Sequence, residues 1–99
     1  MTGSSWFTRI IKRVRGDDPF TEYYDWLTQH GRITEGLVMD AQDGDAAVTI
    51  FYRYDIMNVQ YESSQVLTQQ QLGRRTEYVP GATVTVRYDP RHPGRSVVQ

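Results

Sequence analysis

Apolar residues recur along this chain with two different periods, and the change falls near residue 31. In residues 5–15, Trp6, Phe7, Ile10, Ile11 and Val14 fall on one stripe of a helix, while Arg9, Lys12, Arg13, Arg15 and Thr8 fill the other face. Ser4 or Ser5 suits the N-cap, and the Arg-rich last turn suits the negative end of the helix dipole. Gly16 and then Pro19 supply a stop. Phe20, Tyr23, Tyr24 and Leu27 repeat the spacing, which predicts a second short helix over residues 20–30, with Thr21 as a cap and Gly31 as its end.

From Arg32 onward the period is two. A first strand is expected over 32–41, ending at the turn cluster Gln42-Asp43-Gly44-Asp45. The clearest strand is 46–56, where Val48, Ile50, Tyr52, Tyr54 and Ile56 alternate with Thr49, Phe51, Arg53 and Asp55. Residues 59–67 follow, and a two-residue turn at Met57-Asn58 puts Ile56 opposite Val59, Tyr54 opposite Tyr61 and Tyr52 opposite Ser63. Asp55 then meets Gln60 on the other face, and Arg53 meets Glu62. The polar stretch 68–77 reads as a loop or a single helical turn, and Tyr78-Val79-Pro80-Gly81 as a turn. Residues 82–88 alternate again, 89–94 read as a turn, and Ser96-Val97-Val98 as a short last strand. The expected fold is mainly β with N-terminal helices (α+β). It is a small antiparallel sheet or partly open β-barrel of four to six strands, preceded by one or two short helices. The division is residues 1–19, helix and linker, and 20–99, one β domain. The expected core is Leu37, Val48, Ile50, Tyr52, Tyr54, Ile56, Val59, Tyr61, Val84, Val86 and Tyr88.

The second half also carries a family likeness. Tyr52-x-Tyr54-x-Ile56, a turn, Tyr61 and Ser63 are followed by Tyr78-x-Pro80-Gly81-x-x-Val84-x-Val86-x-Tyr88-Asp89-Pro90-x-x-Pro93. The pattern resembles the bacterial domain-of-unknown-function 3592 family over roughly residues 32–99, with the second block the more specific. The resemblance implies a small antiparallel β domain with no assigned activity, often tethered to a membrane by hydrophobic helices. Two features depart from it. Asn58 stands where the family usually has a hairpin Gly, and an amphipathic segment stands where a spanning helix is expected.

Composition narrows the function classes. The 99 residues contain no cysteine, which removes thiol nucleophiles, disulfides and Cys-ligated zinc. The longest run of hydrophobic residues is three, as in Ile50-Phe51-Tyr52, far short of the roughly 20 that span a bilayer. The net charge is −1, but it is segregated: residues 1–16 hold four bases and no acid. Three uses of that segment remain open. It packs on the β domain, it binds a partner protein or a second copy, or it binds an anionic membrane surface. In the last case Trp6, Phe7, Ile10, Ile11 and Val14 enter lipid, while Arg9, Lys12, Arg13 and Arg15 meet headgroups. The expected compartment is the cytoplasm, at the inner face of the membrane if lipid is the partner.

The remaining chemistry is sparse. His30 and His92 are isolated, and Asp43-Gly44-Asp45 reads as a hairpin turn, because a calcium loop's further ligands are missing. A Ser-His-Asp triad would have to draw on Ser63 or Ser64 with His92 and Asp89, none in a nucleophile setting. No metal, cofactor or catalytic residue is therefore expected. The tyrosines allow an OB-like single-stranded nucleic-acid binder as the alternative, which the acids among them disfavour. The leading expectation is a non-catalytic interaction module.

Overall fold

The computed structural model describes residues 21–99. It opens with helix α1 (Thr21–His30), and the amide of Gly31 closes the last turn on the Leu27 carbonyl at 2.8 Å. Strands β1 (Arg32–Asp43), β2 (Val48–Ile56) and β3 (Val59–Val66) form an antiparallel meander. A one-turn helix α2 (Gln69–Leu72) and a 3₁₀ turn (Arg75–Tyr78) lead to the hairpin β4 (Thr83–Asp89) and β5 (His92–Val98). The order across the five-stranded sheet is β3-β2-β1-β4-β5.

The long first strand makes this order possible. Its first half, Arg32 to Leu37, pairs with β4, and its second half, Gly36 to Asp43, pairs with β2. Between Val38 and Asp40 the register shifts by a bulge, which bends β1 and curls the sheet. Gly36 lies where the two pairings overlap, under Tyr54 on one side and Val84 on the other. A Cβ there would lie 2.6 Å from Val86 Cγ2 and 3.0 Å from the Arg53 carbonyl oxygen, so the strands close only around a glycine. The curl brings the outer strands together in parallel. Tyr61 of β3 lies over Gly94 of β5, and the Gln65 side chain reaches Val98. The result is a five-stranded, partly open barrel with the connectivity of OB barrels.

The hairpin register is the expected one: Ile56↔Val59, Tyr54↔Tyr61, Tyr52↔Ser63, Asp55↔Gln60 and Arg53↔Glu62. Met57 and Asn58 both have positive φ, 51° and 70°, as a two-residue turn of the primed type requires. Pro80 and Gly81 form a type II turn. Gly81 has φ 93°, and the amide of Ala82 donates to the Val79 carbonyl at 2.9 Å.

Three expectations change, and that of a single helical turn within 68–77 is met and extended. Leu37 is half-buried on the outer face and Val38 takes its place in the core, because Val38 pairs with Tyr52 in the inward phase already set by Thr34 and Gly36; the bulge that follows turns Ala41 inward in place of Asp40. Val59 faces inward but is 49% exposed, because beyond Tyr54 and Tyr61 β2 and β3 pair only with each other. Residues 68–77 fold as α2 and the start of a 3₁₀ turn, whose last residue, Tyr78, joins the core with Leu67. Strand β5 begins at His92 rather than Ser96, so the β4–β5 turn shrinks to Pro90-Arg91. The expected N-terminal helix over residues 5–15 lies outside the described residues.

Candidate functional site

Tyrosines with assigned hydroxyls occupy much of the barrel interior. Alternation on β2 sends Tyr52 and Tyr54 inward, where Tyr54 stacks on Tyr52, Tyr61 and Tyr88 at centroid distances of 6.0, 5.6 and 6.5 Å. The hydroxyls of Tyr52 and Ser96 form a 2.7 Å hydrogen bond, with both residues buried. Tyr54 Oη donates to the Pro93 carbonyl at 2.6 Å, and Tyr78 Oη to the Gln99 carbonyl at 3.1 Å. Each bond ends on β5 or the residue after it. The rings supply apolar area while the hydroxyls tie the last strand to the rest.

Two glutamines close the parallel seam. Gln65 Oε1 accepts from the Val98 amide at 2.8 Å, and Gln65 Nε2 donates to the Val98 carbonyl at 3.0 Å. A side-chain carboxamide thus stands in for the missing main-chain ladder between β3 and β5. Gln71 is buried, donates to the same carbonyl at 2.9 Å and accepts from the Thr68 amide at 3.0 Å. Thr68 Oγ1 returns the contact by accepting from the Gln71 amide at 3.1 Å, which makes a capping box.

Helix α1 covers β4 and β5 at the other end of the barrel. Leu27 of its apolar stripe is fully buried, while Tyr23 and Tyr24 are half-buried. Tyr23 Oη donates to Asp89 Oδ2, and the Arg95 guanidinium lies 5.7 Å from the Tyr23 ring centre. Burial, then the bond to Asp89, pushes the Tyr23 hydroxyl up to about 12. Burial pushes the Asp89 carboxyl up, but the hydrogen bonds from Tyr23 and the Arg91 amide, with His92 nearby, outweigh it and hold the group below the usual carboxylate range. Arg87 Nη1 donates to the Gly31 carbonyl at 2.9 Å, placing a cation at the negative end of α1. His30 stacks on Trp26 at 5.6 Å.

The surface chemistry is spread out. Asp43 pairs with Arg75 at 3.0 Å, and Arg74 pairs with Glu77 at 3.1 Å while lying over the Tyr78 ring. The latter pair lines a shallow groove with Thr83, Thr85 and Gln99. Among the described residues no three His, Asp or Glu side chains gather around a metal-sized space. Of the residues such a triad would draw on, Ser63 and Ser64 are buried on β3, and the Asp89 carboxylate accepts from the Tyr23 hydroxyl and the Arg91 amide. The segment singled out for contact, Trp6 through Arg15, lies outside the described residues. The prominent apolar feature that the sequence reading passed over is Met57, 89% exposed at the tip of the β2–β3 hairpin.

These features define a class, a small antiparallel β-barrel whose interior is built largely from tyrosine and aliphatic side chains. The family model for the domain of unknown function DUF3592 matches residues 29–99, which is most of the chain, and the protein belongs to that family. No curated protein and no solved structure matches it. No helix among the described residues is long and apolar enough to cross a membrane.

Proposed function

We propose that this protein is a non-catalytic module held at an anionic membrane surface by its N-terminal segment, with the barrel as a folded head. The observation that carries the reading is the charge segregation: four bases and no acid in residues 1–16, against seven bases and twelve acids in residues 17–99. Trp6, Phe7, Ile10, Ile11 and Val14 form the apolar stripe that such a contact needs, and Arg9, Lys12, Arg13 and Arg15 the basic face. Barrel chemistry agrees with a head that binds no substrate internally, because the interior tyrosine hydroxyls are spent on β5.

The test is co-sedimentation of the full chain with phosphatidylserine-containing and phosphatidylcholine-only vesicles. Each base near an anionic surface contributes about 1 kcal/mol. Replacing Arg9, Lys12 and Arg13 together by Gln should therefore weaken binding to anionic vesicles about a hundredfold. Unchanged binding in that variant, or none in the parent, overturns the reading.

The OB-type connectivity favours a second reading, binding of single-stranded nucleic acid. Against it, Arg53 on the outer face of β2 sits opposite Glu62, and the β1–β2 turn carries Asp43 and Asp45. Binding to an oligonucleotide that weakens steeply with salt would establish this alternative.

A further inference from the structure

We infer that the outward face of β1, β2 and β3 is a seat for the chain's own N-terminal segment, residues 5–15, and that an anionic membrane competes with this seat for the same apolar stripe. The seat stands on the barrel's own residues; the competition rests on the membrane reading above.

The strand pairings fix which side chains share that face. Leu37 lies opposite Arg53 on β2, and Phe51, two residues from Arg53, lies opposite Ser64 on β3, with Val66 two residues further. Leu37, Phe51 and Val66 therefore form a diagonal apolar row across three strands, turned away from the core. Val66 is 48% exposed, Leu37 and Phe51 are half-buried, and Ile33 continues the outward side of β1 at 59% exposed. Acids border the row on both sides: Asp40 opposite Phe51 on β1, Glu62 opposite Arg53 on β3, and Glu35 and Asp55 beyond Leu37 and Arg53. Arg53 is the base set among these four acids. The helical elements pack elsewhere, α1 on β4 and β5 and the 3₁₀ turn on β4.

Pattern, charge and tether select the occupant. The segment carries an apolar stripe bordered by four bases with no acid, and the face carries an apolar row bordered by acids, so apolar meets apolar and base meets acid along the same contact. Helix α1 has exposed acids too, Glu22 and Asp25, but the large apolar side chain it exposes, Trp26, already lies against Tyr23 and His30. Residues 16–20 join the segment to α1. That linker and an eleven-residue helix together extend about 33 Å, whereas the way back along α1 and down β1 to Leu37 is about 28 Å. The tether holds the segment at a high effective concentration beside the face, and lipid must displace it there.

The absence of cysteine allows a nitroxide to be placed by Thr8→Cys on the polar side of the segment in the full chain. Paramagnetic broadening of amide signals should be strongest at Leu37, Phe51 and Ser64. Broadening centred on α1, or none, overturns the seat. Broadening of an isotope-labelled parent mixed with the spin-labelled chain assigns the face to a second copy and overturns the tethered contact. Glu35→Gln with Glu62→Gln should remove most of the broadening and raise co-sedimentation with phosphatidylserine-containing vesicles several-fold, with circular dichroism unchanged. Glu22→Gln with Asp25→Asn removes equal charge from α1 and should do neither. Unchanged broadening in the first pair overturns the acids as the selecting feature, and equal vesicle gains in both pairs overturn the competition. Broadening without any vesicle binding keeps the seat and overturns the membrane reading, and vesicle binding without broadening does the reverse.

Discussion

Replacing Gln65 by Leu tests whether a side chain closes the barrel. The substitution keeps most of the volume and removes two hydrogen bonds to Val98, at 2.8 and 3.0 Å. The two groups left behind do not suffer equally. The Val98 carbonyl keeps the bond from Gln71 Nε2 at 2.9 Å, whereas the Val98 amide loses its partner at a buried residue. A hydrogen bond contributes about 1 kcal/mol net, and orphaning a buried donor costs about 1–3 kcal/mol. The expected loss is about 2–3 kcal/mol, which for a domain this small lowers Tm by about 10–20 °C. Urea melts followed by tryptophan emission give the free energy, and hydrogen exchange gives the amide. The Val98 amide should lose protection, while the amides of β2 exchange only as global stability dictates. A loss under about 0.5 kcal/mol with Val98 protection retained would mean that the carboxamide is incidental to closure.

Three other substitutions probe separate parts of the argument. Gly36→Ala forces a methyl to within 2.6 Å of Val86 Cγ2 and should cost about 1–3 kcal/mol in a thermal melt, with unaltered stability refuting the close strand crossing. Tyr23→Phe should flatten the pH dependence of Tm at both extremes. The Tyr23 hydroxyl is raised to about 12, so its contribution is complete below about 10 and fades as pH climbs between those values. The Asp89 carboxyl is depressed, so its contribution holds above the ordinary carboxylate pKa and fades as pH falls through its lowered value; a profile identical to the parent's would contradict the pairing. Met57→Asn combined with Asn58→Gly installs the preferred turn pair and should stabilise the fold by about 1 kcal/mol in the same melts. If the pair is destabilising instead, the left-handed backbone at Met57 carries no strain.

How much of this was legible beforehand depended on whether period and turn chemistry agreed. In β2 and β3 they did: strict alternation fixed the faces, and a two-residue turn fixed the register to the residue. In β1 the consecutive Leu37, Val38 and Met39 carry no alternation, so nothing local says that Val38 and not Leu37 faces inward, or announces the bulge that follows it. Strand β5 was half hidden because Pro93 and Gly94 read as breakers. They sit where β5 shifts register against β4, between the Asp89↔His92 and Tyr88↔Ser96 pairs, and the Pro93 carbonyl serves Tyr54. Gln71 is the instructive miss. A run of three glutamines reads as solvent-facing, yet the Thr68-x-x-Gln71 spacing is a helix-start signature that was present in the sequence. Gln65 left no such trace, since its partner is a main-chain group 33 residues away. The exposed Met57 was visible as a turn residue, but only the structure shows that its ribbon stands clear of β1.

The divided pairing of β1 has a consequence for the order in which the barrel assembles. Its second half can zip with β2, and β2 with β3, through contacts between near neighbours in the chain. Its first half must wait for β4, which lies across about fifty intervening residues, from Arg32 to Tyr88 at the extreme pair. A chain with that contact pattern reaches its transition state slowly, on the millisecond-to-second scale typical of barrels. On that ground the meander is expected to form first and the β4–β5 hairpin to arrive late. Substitutions at Gln65, Ser96 or the Val98 contacts therefore act chiefly on the rate of unfolding and leave the rate of folding nearly untouched. The last strand to arrive is also the one held by three tyrosine hydroxyls and two glutamines, so the bonds that complete the barrel are the ones that set its lifetime.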